Sequence, residues 1–279
     1  VVALKFLPHH RSAIESEQAR FLQEAKAASA LNHPNVCSIH SIGEHKGQSF
    51  IDMEFVEGQT LRTKAAGGAL KLEEAITYAI QIGDALHEAH SKGIVHRDIK
   101  CENIMVNTRS QIKVMDFGLA RLKGSLKITR SSSTVGTLAY MAPEQLQGGE
   151  VDARSDIFSF GVVLFEILTG KLPFRGEHEA AMMYSIVNED CDSVQKYRQD
   201  ATAEVDRIIR RALEKMPEDR YQHIDDMTSE LRKLLKQSSK VLRPAPSDRV
   251  SQPAQAVAVR DQQMGESTSL LRKISSRGS

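Results

Sequence analysis

Hydrophobic positions along this chain recur with two periods, and each change of period marks an element. Residues 1–7 are a short run rich in β-branched and aliphatic side chains and predict a strand. Residues 12–31 have helical spacing, with Phe21, Leu22, Ala25 and Ala28 on one side. Residues 49–56 alternate like a strand and stop at Glu57-Gly58, a breaker. These elements predict a small mixed region. Residues 72–91 then repeat with the helical period, and Ile76, Ala79, Ile80, Leu86 and Ala89 are the core candidates. Short strands are predicted over 104–106 and 112–115. Residues 155–169 form an apolar helix closed by Gly170, and 205–215 and 224–235 are amphipathic helices.

From about residue 238 the composition changes. The remaining residues are rich in Ser, Gln, Pro and Arg and hold no aromatic. Such a segment buries too little apolar area to offset its ordering entropy, so 239–279 is predicted to be a disordered polar tail with a short helix at 269–274. No internal repeat is evident.

Bulk numbers narrow the class. The chain has 279 residues, 41% hydrophobic and 26% charged, with a net charge of +1. Nothing in that balance predicts a nucleic-acid partner or an anionic membrane surface. The three cysteines, Cys37, Cys101 and Cys191, are widely spaced and form no CxxC pair, which predicts a reducing, cytoplasmic setting. The longest apolar run, 158–168, is broken by Glu166 and is too short to cross a bilayer.

The chemistry is concentrated in two strings. Residues 95–103 read Val-His-Arg-Asp-Ile-Lys-Cys-Glu-Asn, and residues 116–118 read Asp-Phe-Gly. They bring Asp98, Lys100, Asn103 and Asp116 close together in sequence. Phosphoryl transfer needs such a set: a base to orient a hydroxyl, a cation for the moving phosphate, and oxygen ligands for Mg²⁺. A lone Asp-Phe-Gly is only a turn, but the combination is specific. Val2-Ala3-Leu4-Lys5, Gly136-Thr137 and Ala142-Pro143-Glu144 extend it.

On these strings, residues 1–238 resemble the eukaryotic-type (Hanks-type) Ser/Thr protein kinase family. The string Gly-Thr-Leu-Ala-Tyr-Met-Ala-Pro-Glu-Gln and the Ala-rich helix before Asn32-His33-Pro34-Asn35 look most like its bacterial members. The resemblance implies an α+β, two-lobed fold: a partial N-lobe at 1–57, a helical C-lobe at 58–238 and the tail at 239–279. The strands and glycine-rich loop expected ahead of Lys5 are not in the chain, which reads as an N-terminally truncated member whose parent could carry a membrane anchor elsewhere.

Residue roles follow from the same resemblance. Lys5 would grip the α and β phosphates of ATP and be held by Glu24. Asp98 would orient the substrate hydroxyl, with Lys100 offsetting charge and Thr137 reaching both. Asn103 and Asp116 would hold Mg²⁺. Glu54 and Val56 would bond adenine through their backbone, with Met53 at the gatekeeper position and Met105 under the ring. His96 would pack beneath Phe117, Asp156 would hold the catalytic loop, and Glu144 would pair with Arg220. Glu102 and Glu166 match positions that favour basic residues near the target in some relatives. Arg97 before Asp98 suggests activation by phosphorylation among 129–134, carried out in trans by a homodimer. The partners implied are ATP and protein substrates with Ser or Thr. The competing reading is a pseudokinase scaffold, because the phosphate-covering strands are absent. A small-molecule phosphotransferase would lack the Ala-Pro-Glu segment.

Overall fold

Alternation in the first strand decides which way Lys5 faces. A computed structural model describes residues 1–6, 25–46, 48–117 and 135–241, with backbone alone at 135 and 238–241. Strand β1 (Val2–Phe6) exposes Val2, Leu4 and Phe6 and half-buries Ala3 and Lys5. It pairs antiparallel with β3 (Gln48–Glu54), and β2 (Ile39–His45) lies on the other side of β3. Directly opposed residues share a face. Ala3 opposes Met53 and Lys5 opposes Ile51, so Lys5 belongs to the inner face of the sheet. That face packs on a small core of Ala25, Cys37, Ile51 and Met53. The structure begins the strand at Gln48 and ends it at Glu54, leaving Phe55 and Val56 beyond the last ladder pair. Sequence periodicity missed β2, which carries a register shift between Ile39 and Ser41 that breaks the alternation. Gly43 in β2 lies directly under the Phe50 ring, where a Cβ would clash.

The predicted helix at 12–31 is described only from residue 25 on. Helix α1 spans 25–29, so it stops two residues before the predicted end, in a turn leading to His33-Pro34.

A second antiparallel sheet has the order β4-β5-β6: Gly58–Thr60, Ile104–Asn107 and Ile112–Val114. Gly58 is required there because a Cβ would meet the Val106 carbonyl. Helix α2 (Leu61–Ala65) follows β4 at once, its first turn capped by Thr60, whose Oγ1 accepts the Thr63 N–H at 3.1 Å.

Helix α3 (Leu72–Ser91) matches the predicted bounds. Ile76, Ala79, Leu86 and Ala89 are buried, and Ile80 is half-buried against the same core. Short helices α4 (Val135–Leu138) and α5 (Pro143–Gln147) had no period to reveal them. Helix α6 (Ala153–Thr169) starts two residues earlier than predicted, where Asp152 accepts the Arg154 N–H at 2.8 Å. Gly170 closes it with φ 70°. Every residue from Ser155 to Thr169 is buried, as suits a helix apolar all round at the centre of the large lobe. Helices α7 (Glu179–Asn188), α8 (Ala203–Ala212) and α9 (Ile224–Val241) follow, and α8 and α9 pack against α6. The α8 prediction at 205–215 was displaced toward the C-terminus, because Thr202 caps the helix by accepting the Val205 N–H at 3.4 Å.

Helix α9 is longer than predicted. It runs on through Val241, six residues past the predicted end and into the segment assigned to the tail. Continuation costs little once Leu231 and Leu234 have anchored the preceding turns in the core. The rest of that segment, including the predicted helix at 269–274, lies outside the described residues. Among the described residues no helix is long and apolar enough to cross a membrane.

Candidate active site

Asp156 builds the backbone of the catalytic loop. It is fully buried in the first turn of α6, and its two oxygens accept the His96 and Arg97 N–H groups, each at 2.7 Å. His90 Nε2 lies 2.8 Å from the same carboxylate. These bonds stabilise Arg97 at φ 68°, a left-handed conformation unfavourable for a side chain of its size. Gln145 adds a bond that motif reading missed: its Nε2 donates to the Arg97 carbonyl at 3.0 Å, while its Oε1 accepts the Ala142 N–H. The signal was the Gln following Ala-Pro-Glu, whose role depends on contact across 48 residues.

His96 is a brace whose tautomer follows from its partners. Its Nε2 lies 2.8 Å from the Met115 carbonyl, which only accepts, so Nε2 carries the proton. The Asp98 N–H donates to the other ring nitrogen at 3.2 Å. The ring meets Phe117 edge-on at 4.6 Å between centroids.

On this base stand the chemical groups. Lys100 Nζ lies 2.9 Å from both Asp98 carboxylate oxygens. Asn103 closes the 3₁₀ turn Cys101–Asn103, and its Nδ2 donates to the Asp98 carbonyl at 2.7 Å and to Asp98 Oδ2 at 3.2 Å. The Asn103 carbonyl accepts the Met115 N–H at 2.8 Å and so ties the loop to Asp116. Asp116 adopts φ 63°, tolerated by Asp better than by bulkier residues. Its Oδ2 pairs with Lys5 Nζ. Its Oδ1 is buried and, among the described residues, has no hydrogen-bond partner.

That orphaned oxygen tests the Mg²⁺ expectation. A buried carboxylate oxygen without a donor is unfavourable, and a divalent cation satisfies it. Asn103 spends its amide N–H groups on Asp98, which leaves its amide oxygen as the ligand it can offer. Two hard oxygens on adjoining segments fit Mg²⁺.

Other expected residues are placed less fully. Lys5 pairs with Asp116, while its expected partner Glu24 lies outside the described residues. Met53 is buried and, with Ala28, Val36, Cys37, Ile39, Asp116 and Phe117, lines a small cavity behind the site. The Glu54 N–H is already committed to the Ser38 carbonyl at 2.9 Å, and its carboxylate pairs with Lys113 at 2.9 Å. Among the described residues no hydrogen bond uses the Val56 backbone. Met105 is half-buried in β5 opposite Lys113. Thr137 is half-buried in α4, and among the described residues it makes no hydrogen bond to Asp98 or Lys100. Asp52, without a role in the sequence, pairs with His40 at 3.3 Å. Residues 118–134, which hold the predicted phosphorylation sites, lie outside the described residues.

Away from the chemistry, Glu144 and Arg220 form a two-pronged pair at 2.7 and 2.8 Å. Arg220 also donates to the carbonyls of Glu214, Lys215 and Arg154, and Ser155 donates to Glu144 at 2.6 Å. All five N–H donors of this buried guanidinium are used.

Comparison with known proteins agrees with the geometry. The protein kinase domain family model matches residues 1–259. The Ser/Thr-protein kinase PknB of Mycobacterium leprae is 38% identical over 236 residues, 82% of this chain and 38% of that protein. The Ser/Thr-protein kinase PrkC of Bacillus subtilis is 38% identical over 232 residues, 83% of this chain and 36% of that protein. The chain thus spans little more than a third of the length of these relatives. In fold it is similar to the crystal structure of a mutant Mycobacterium tuberculosis PknI kinase domain, with TM-score 0.66 and 24% identity over 83% of this chain and 84% of that one. The two-lobed α+β architecture is the kinase fold, and this chain belongs to the protein kinase domain family, among its bacterial Hanks-type Ser/Thr members.

Proposed function

We propose that the chain transfers the γ-phosphoryl group of ATP to Ser or Thr hydroxyls of proteins. One observation carries the reading: Asp98 is held by Lys100 and Asn103, and Asp116 Oδ1 is buried and unpartnered among the described residues. Asp98 accepts the hydrogen bond of the incoming hydroxyl and takes its proton as the new O–P bond forms and the bond to the leaving ADP oxygen breaks. Lys100 lies against the Asp98 carboxylate and offsets negative charge on the transferred group. Lys5 positions the nucleotide, exchanging its bond to Asp116 for phosphate oxygens. Asn103 and Asp116 hold Mg²⁺, which supplies charge neutralisation at the phosphates. Met53, Glu54, Val56 and Met105 surround the adenine, and Thr137 borders the acceptor side.

The functional division we propose is an N-lobe portion at 1–57 and a C-lobe from 58 to the end of α9. Activation proceeds by phosphorylation within 129–134, one copy acting on another.

The test is transfer from γ-labelled ATP to the chain itself and to a generic Ser/Thr protein. Asp98→Asn should retain ATP binding and lose roughly 10²–10⁴-fold in turnover, the usual contribution of a positioned base. Wild-type turnover in that variant would overturn the assignment. ATP and Mg²⁺ should also raise the melting temperature, since binding to the native state stabilises it. Stabilisation without any transfer would favour the scaffold reading.

A further inference from the structure

Three side chains hold the backbone from which Asp98 projects. Asp156 accepts the His96 and Arg97 N–H groups, each at 2.7 Å. The next peptide group joins Arg97 to Asp98, and both of its ends are bonded. Its N–H, that of Asp98, donates to His96 Nδ1 at 3.2 Å. Its carbonyl, that of Arg97, accepts Gln145 Nε2 at 3.0 Å. The Gln145 bond is the shorter of the two and comes from outside the loop. The tilt of this peptide plane directs the Asp98 side chain, which leaves the very next Cα. Arg97 stands at φ 68°, a conformation that persists only where the surroundings hold it.

A second bond places Gln145 for this role. It is the third residue of α5, and its Oε1 accepts the N–H of the N-cap residue Ala142 at 2.9 Å. That bond uses only the acceptor end of the amide. The donor end is left for the loop. The side chain is buried. A carboxylate at this position would serve the cap as well, but only an amide serves cap and loop together.

We propose that Gln145 is a positioning residue for phosphoryl transfer: by donating to the Arg97 carbonyl it fixes the Arg97–Asp98 peptide plane and so aims the Asp98 carboxylate. The proposal rests on the phosphoryl-transfer reading of the site. A residue that only capped α5 would need its oxygen and not its nitrogen, and that difference can be measured.

The experiment uses the full chain with ATP and a Ser-acceptor peptide, and reads kcat and KM from about pH 8 down to about pH 6, a span in which a buried carboxyl can take up a proton. Gln145→Glu keeps the acceptor for Ala142 and, while ionised, lacks the donor to Arg97. At about pH 8 its kcat should lie about ten- to a hundredfold below wild type, the loss expected of an ångström-scale misplacement, with KM for ATP unchanged. As pH falls, the introduced carboxyl gains a proton and with it a donor in place of the amide N–H. The ratio of variant to wild-type kcat should then climb toward unity. His96, Arg97 and Asp98 in the loop, Glu144 in α5 and Asp156 in α6 are the charged and titratable groups on the elements around it. They are present in wild type too, so the ratio isolates the introduced carboxyl. Gln145→Met has no donor at any pH and should show the loss without the recovery. Gly83→Ala, where a Cβ would press on Thr228 of α9 and on no site residue, should keep wild-type kcat. Wild-type kcat in Gln145→Glu at the alkaline end, a ratio that ignores pH, or an equal loss in Gly83→Ala would overturn the proposal. Should Gln145→Glu fail to fold, Gln145→Met decides by its kcat, and a wild-type value overturns the idea. Absence of transfer by wild type would count against the kinase reading. Hydrogen exchange followed by NMR would still decide the role of Gln145: the Asp98 amide should exchange about two- to tenfold faster in Gln145→Met, the range for one lost hydrogen bond. An unchanged rate at that amide would overturn the positioning role.

Discussion

Arg220 shows how much a single residue carries. Its guanidinium is buried and satisfied on every side by Glu144 and three carbonyls. Removing one partner leaves a buried charge alone, so Arg220→Ala should cost about 3–5 kcal/mol in urea unfolding. The cysteines argue the opposite case. Burial pushes the Cys37 and Cys191 thiols up to about 11, and burial with the nearby Glu166 carboxylate pushes Cys101 well up. Thiolate is the reactive form. All three should therefore resist iodoacetamide near neutral pH in the folded chain and react after unfolding, as mass spectrometry would show. Cys101 donates its S–H to Glu166.

At the scale of elements, α3 and α9 approach closely at Gly83. A Cβ there would strike Thr228 Oγ1, which is fixed by its bond to the Ile224 carbonyl at 2.8 Å. Helix propensity favours Ala over Gly by roughly 0.5–1 kcal/mol. Overpacking costs about 1–3 kcal/mol, so the clash wins. Gly83→Ala should lower stability by about 1 kcal/mol, and Thr228→Ala in the same chain should recover part of the loss. A pair of additive effects in that cycle would mean the two helices do not meet there.

For the whole molecule, the acid side is the vulnerable one. Burial by itself would raise the pKa of Glu144, Asp152 and Asp206, but hydrogen bonds from Arg220 and Ser155, from Arg154, and from Arg210 outweigh it and hold all three carboxyls low. A carboxyl depressed in the folded state adds stability above its unfolded pKa, near 4, and loses it as pH falls through the folded value. Melting temperature should thus hold at neutral pH and fall steeply below about pH 4. Replacing Arg220 should flatten that fall, because Glu144 would no longer be held low.

The sequence by itself determined the family, the long helices and the motifs that hold Asp98, Lys100, Asn103 and Asp116. Motif spacing within one loop survives any change in packing, and the apolar period of α3 and α6 spans enough residues to outweigh local noise. It did not reveal β2, where a register shift erases the alternation, or α4 and α5, which are too short to show a period. Tertiary structure alone decided the partnerships. Lys5 meets Asp116 across 111 residues, Gln145 holds the Arg97 carbonyl across 48, and Arg62 reaches Glu166 across 104. Local propensity and periodicity act over a few turns, whereas such contacts form only when the sheets and helices are packed together. For that reason the kinase motifs could be read in advance, and the residues that brace them could not.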